Sequence, residues 1–168
     1  MSDDNRVEVR IEGLTELDEA LAQFSEKVAK KSIYNALNYA LTPIVKDVKQ
    51  RATVAEKTHK MLYGRAYVEV QPGLIRESVR RRRLKKSEIA KLRVSAGVAI
   101  HAGKGKTQKY YPKYWPFIEY GTVKMVAIPF FRPAFDANIG IAFDRFYKKL
   151  AKNIEKEQVL LDEVDDDG

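Results

Sequence analysis

The residues of this chain that could do chemistry are few, and most of them stand alone. Gly105-Lys106-Thr107 reads like the end of a phosphate-binding loop that follows a strand. Such a loop needs a glycine five residues before Gly105, where this chain has Ile100. It also needs a helix directly behind it to aim amides at phosphate, and Gln108 to Pro116 carries two prolines. His59 and His101 are the only histidines; they lack the spacing of a ligand pair and read as exposed loop residues. No serine sits in a G-x-S-x-G elbow, and no two carboxylates stand out as acid and base. Cysteine is absent, which removes disulfides, thiolate nucleophiles and Cys-based metal sites. Nothing supports a metal-dependent nuclease built from scattered acids. The chain reads as a non-enzyme without cofactor, metal or catalytic residues.

What remains is charge. The net charge is +8, and its excess is local. Residues 80–113 hold twelve Lys or Arg against one acid, Glu88. Arg80, Arg81, Arg82 and Arg83 are consecutive, Lys85 and Lys86 follow, and Lys104, Lys106 and Lys109 form a second basic run beside Tyr110, Tyr111 and Tyr114. Cations of this kind grip phosphates, and tyrosines stack on bases, so a nucleic-acid-binding module using 80–113 is one reading. The other, which we favour because charge runs alone are unspecific, is a solvated basic arm that meets an acidic protein surface. Four arginines in a core strand would bury two of them without acidic partners, so the run is expected to leave the core as a hairpin arm or mobile loop.

The elements that must carry these residues follow from periodicity. Val7, Val9 and Ile11 alternate with charged residues, as in a half-buried strand. Thr15 is placed to cap a helix whose face is Leu14, Leu17, Leu21 and Phe24. A longer helix is predicted over 26–52, bent at Pro43, with Val28, Ile33, Ala36, Leu37, Ala40, Ile44, Val45 and Val48 on its stripe. Gly73 to Val79 reads as a short helix leading into a strand, Lys91 to Ile100 as a strand and 102–112 as an exposed loop. Residues 114–135 hold the only tryptophan, four of the seven phenylalanines and three of the six prolines, the makings of a rigid core arch. Within it, Gly121 is expected to end a short helix with positive φ. A last helix starts near Pro133, with Phe135, Ile139, Phe143, Phe146, Leu150 and Ile154 on one face.

These elements, not in strict βαβ order, predict one α+β domain over 1–155. A long bent N-terminal helix and a C-terminal helix pack on a small, mainly antiparallel sheet. The basic region at about 80–113 protrudes, and 156–168 form an acidic, disordered tail. The N-terminus has no apolar run of a signal peptide and no window could span a membrane, which places the chain in a reducing cytoplasm or an assembly made there.

The ordered set E-G-L-x-E-L, a long Ala/Lys-rich helix, G-L-I-R-E-S-V, F-I-E-Y-G-T and A-I-P-F-F-R-P-A resembles the small tail-component, or neck, family of long-tailed bacteriophages over roughly residues 10–150. The first family motif falls on Gly73, Leu74, Arg76 and Ser78. The second falls on Glu119, Gly121, Thr122, Pro129, Phe130, Arg132 and Pro133. Pro72 stands where the family has Thr, Tyr120 where it has Phe and Phe131 where it has Leu; the basic insert and acidic tail lie outside the shared pattern. The resemblance implies a structural virion protein at the head–tail junction, assembled in the host cytoplasm. It would form a homo-oligomeric ring, six-fold, between the head connector and the tail-terminator or tail-tube proteins. Arg80–Arg83, Lys85, Lys86, Lys104, Lys106 and Lys109 would then contact neighbouring subunits or DNA in the channel.

Overall fold

The computed structural model describes residues 14–92, 94–102 and 110–166. The strand expected at 7–11 lies outside them. The elements run α1 (Leu14–Ala22), α2 (Glu26–Ala40), α3 (Thr42–Arg51), β1 (His59–Tyr63), β2 (Ala66–Val70), α4 (Leu74–Ser78), β3 (Val79–Arg83), α5 (Lys86–Leu92), β4 (Ala96–Ile100), α6 (Trp115–Tyr120) and α7 (Phe131–Asp166). This is the α+β domain read from the sequence, with its sheet divided into two antiparallel ribbons, β1–β2 and β3–β4.

The centre is helical. Helices α2 and α3 form one bent rod, and α7 runs antiparallel to it. Asn153 donates to the Ser32 carbonyl (3.1 Å) near one end, and Asn138 donates to Asp47 (2.8 Å) near the other. Ala36, Ala40, Ile44 and Val48 supply the buried stripe of the rod; all are at most 2% exposed. Opposite them, α7 presents Ala134, Ala142, Leu150 and Ile154. Small side chains at 134 and 142 let the backbones approach, which is why Phe135, expected in this stripe, faces outward instead. α1 adds Leu17 and Leu21, and the turn after it Phe24, to the cluster of Ala36, Leu150 and Ile154. It begins at Leu14, so Thr15 lies inside its first turn and not at its cap.

The bend falls at Leu41, as Pro43 requires. Proline has no N–H for the Tyr39 carbonyl four residues back. The Thr42 hydroxyl donates to that carbonyl instead, at 2.7 Å. The Asn38 carbonyl, also at the break, accepts from the guanidinium of Arg81 (2.8 Å), which donates to Thr42 Oγ1 as well (3.0 Å).

Arg80–Arg83 therefore belong to the fold and do not form a protruding arm. They are four of the five residues of β3, in register with Ala99, Val98, Gly97 and Ala96 of β4. Alternation sends Arg81 and Arg83 toward the bent rod, where the Arg83 guanidinium lies 4.8 Å from the Tyr34 ring centre. Arg80 donates to the Ala102 carbonyl at 2.9 Å, and Arg82 forms a two-pronged pair with Glu88. A two-stranded ribbon leaves room for long stems to lie along its faces with their charged ends near water, so no arginine is entombed. Part of the stretch expected as a strand over 91–100 is helical: α5 occupies 86–92, and Glu88 in its first turn accepts from the Lys85 amide (2.8 Å) like the acid of a capping box. The hydrogen bonds from Arg82 and from the Lys85 amide hold the Glu88 carboxyl down at about 2.

α7 continues through 156–166, where the sequence reading expected a disordered tail. The run Glu155-Lys156-Glu157-Gln158 with Leu160 and Leu161 is made of strong helix formers, which the acidic composition outweighed in that reading. Among the described residues no helix is long and apolar enough to cross a membrane, α7 included.

Arg81→Ala is expected to lower stability by about 1 kcal/mol, because two acceptors at the helix break lose their shared donor. Lys86→Ala, at an exposed position outside the ribbons, is expected to change it by less than about 0.5 kcal/mol. Urea denaturation compares the two directly.

Candidate functional site

The two motif segments, far apart in sequence, meet around one cavity of about 280 Å³, lined among others by Gly73, Leu74, Ile75, His59, Tyr114 and Ile118. Gly73 turns the chain into α4 with φ +88°. Leu74 is buried beside Met61 and Val70, and the buried Ser78 hydroxyl donates to the Leu74 carbonyl at 2.6 Å. His59 is a β1 residue, not a loop residue, and its ring packs edge-on against Tyr114 with centroids 5.6 Å apart.

The second motif builds an arch from α6 to the start of α7, and one carboxylate holds it. Glu119 is 1% exposed. Its oxygens accept from the backbone amides of Phe130 (2.8 Å), Phe131 (2.9 Å) and Arg132 (3.0 Å). Pro133 has no N–H, so the donors that open α7 are satisfied by this one side chain. The Arg132 side chain closes the site, with Nε 3.2 Å from the carboxylate and its guanidinium 4.8 Å from the Tyr120 ring centre. Burial pushes the Glu119 carboxyl up, but the three amides and Arg132 outweigh it and hold it below its ordinary 4.5. Sequence reasoning found Glu119 as a motif position and missed this role, because its acceptor bonds span eleven to thirteen residues. The signal was the spacing of a lone acid ahead of an F-F-R-P helix start.

Phe130 is fully buried in the main core, with Ala134 beside it. Between the two feet of the arch the chain turns sharply. Gly121 takes φ +75° and ψ −179°, a region open to glycine almost alone, which realises the positive φ expected there. Thr122 and Met125 exchange backbone bonds of 2.8 and 3.2 Å, and Ile128 donates to the Ile118 carbonyl (2.8 Å). The turn they enclose is apolar and open to solvent: Val123 and Val126 are exposed almost completely, and Ile128 by half.

The basic residues do not gather at the arch. Arg80–Arg83 lie on the β3–β4 ribbon with the partners described above, Lys85 and Lys86 are exposed at its end, and Lys104, Lys106 and Lys109 lie outside the described residues, as does Gly105-Lys106-Thr107. The side chain of Arg76, another motif residue, takes part in no hydrogen bond or ion pair among the described residues. It is exposed and lines an open groove of about 330 Å³ with Lys46, Lys49 and Gln50 of α3.

Comparison of the chain with protein-family models, with characterised proteins and with solved structures returns no match.

Two tests separate the elements of the arch. Gly121→Ala places a Cβ 2.8 Å from the Ala127 nitrogen and 2.9 Å from the Met125 oxygen, whereas one at Gly73 meets nothing within 4 Å. The cost is expected to be about 1 kcal/mol at Gly73, from the backbone conformation alone, and about 3 kcal/mol at Gly121; equal urea midpoints for the two variants would refute the strained turn. For Glu119, the folded carboxyl is lowered, so it stabilises the fold fully above the ordinary 4.5 and progressively less as pH falls through the folded value. Glu119→Gln is expected to lose about 2–3 kcal/mol at neutral pH and to flatten the acid side of the stability profile below about pH 5.

Proposed function

We propose that this chain is a structural subunit of the neck of a long-tailed bacteriophage, a ring component that joins the tail to the capsid connector. The observation that carries the reading is the ordered pair of motifs, G-L-I-R-E-S-V and F-I-E-Y-G-T…A-I-P-F-F-R-P-A, together with the work their residues do here. The two line one cavity, and the arch built by the second presents Val123 and Val126 on a tightly held turn. An apolar turn of this kind in water is suited to burial against another subunit. A ring subunit needs such a stiff frame with contact loops on it, and charges to set register.

The reading of 80–113 as a nucleic-acid module draws less support. The guanidinium groups of Arg80–Arg83 are already engaged by two carbonyls, a hydroxyl, a carboxylate and a ring of this same chain.

Removal of the coding sequence from its parent phage is expected to leave filled heads and finished tails unjoined, with infectivity restored by the wild-type chain supplied in trans. Electron microscopy of the lysates reads the outcome. Normal joined particles in its absence would overturn the proposal.

A further inference from the structure

We infer that the groove of Lys46, Lys49 and Arg76 receives the acidic run 162–167 of a second copy of this chain, making a head-to-tail contact between copies. The groove offers three cations and the amide of Gln50, and among the described residues none of the three cations forms an ion pair. Of the acids nearest in sequence, Asp47 is taken by Arg51 and Asn138, and Glu77 is not among the residues that line the groove. Arg76 is also an exposed motif residue, and a guanidinium with planar donors is suited to carboxylates.

The run D-E-V-D-D-D carries five acids and no base, and is the densest anionic stretch of the chain. It cannot reach its own groove. Asn138 is bound to Asp47, which is flanked in sequence by the groove lysines, and Asp162 lies 24 residues further along the same helix. At 1.5 Å per residue that is about 36 Å away. Up to residue 160, the last buried residue of α7 is Ile154, and Val159 and Leu160 are exposed. An anionic end and a distant cationic groove on one chain are two different patches, and two different patches joined head to tail propagate from copy to copy and close into a ring if the rotation allows. Each exposed pair is weak, so the contact is salt-sensitive and gains strength from closure. This inference stands on charge and distance and does not depend on the phage reading.

The test is a charge swap followed by sedimentation velocity on the full chain. Wild type is expected to self-associate at about 0.05 M salt and to dissociate at about 0.5 M. Reversing the groove (Lys46→Glu, Lys49→Glu, Arg76→Glu) or the run (Asp162→Lys, Glu163→Lys, Asp165→Lys, Asp166→Lys) is expected to weaken association at least tenfold. Mixing the two reversed chains is expected to restore it, because each groove again meets a run of opposite sign. Circular dichroism checks that both variants fold, and the run variant supplies a readout if the groove variant does not fold. A wild type that stays monomeric at low salt, a groove variant that associates like wild type, or a mixture that fails to associate overturns the inference. So does binding of a short DNA duplex that is lost on groove reversal while self-association is unaffected, which would assign the groove to phosphates. None of these results bears on whether heads and tails join, so the two proposals fail separately.

Discussion

The structure depends on one buried carboxylate. Glu119 sits at the end of a six-residue helix that could not hold its shape alone, and it binds the first amides of a 36-residue helix that brings Ala134, Ala142, Leu150 and Ile154 into the core. A buried anion is tolerable only when its lone pairs are filled, and here three amides and an arginine fill them. The positive end of the α7 dipole adds to the same attraction. Phe130, at the junction, enters the main core as a consequence of where the anion holds its amide. The turn between the two feet has no room for any residue but glycine at its start, so it is as fixed as the helices it joins.

Several of these features were legible in the sequence, for reasons that stay local. The bend at Pro43, the short helix and strand after Gly73 and the positive φ of Gly121 each follow from one residue's backbone chemistry acting on its neighbours. What escaped was decided by partners distant in sequence. Arg81 looked unsuited to a strand until the broken helix supplied two acceptors for it, forty residues away in the chain. Phe135 fitted a helical stripe by spacing, but close approach of α7 to the bent rod selects alanine, and the stripe turns toward Ala134 and Ala142. Residues 91–100 alternate well enough for a strand, yet Glu88, by capping α5 and pairing with Arg82, commits their first part to a helix. For the candidate site, the motif positions could be read directly; the division of labour among them could not, since it rests on which polar groups are satisfied.

Charge is distributed with the same economy. A net charge of +8 suggests a surface dominated by repulsion, but the densest cationic run is dispersed by strand alternation over two faces and matched mainly to carbonyl oxygens, an aromatic ring and one acid. Carbonyls are acceptors of convenience wherever a helix breaks or a strand ends, and they carry no net charge, so the run keeps its positive field while its geometry is fixed. The lysines of α3 and Arg76 are the contrasting case, cations left with their field undirected by the chain itself.

The antiparallel pairing of α7 with α2 and α3 also determines when this protein can fold. Ser32 waits for Asn153, and Ala36 for Leu150 and Ile154, so the first half of the bent rod lacks these partners until about a hundred further residues have been made. At synthesis rates of roughly 5–20 residues per second that is an interval of about 5–20 s during which an apolar face stays uncovered. The α+β arrangement is thus closed by its last helix, and long-range contacts of this kind slow folding relative to a bundle of adjacent helices. A net charge of +8 opposes the association of chains caught in that uncovered condition.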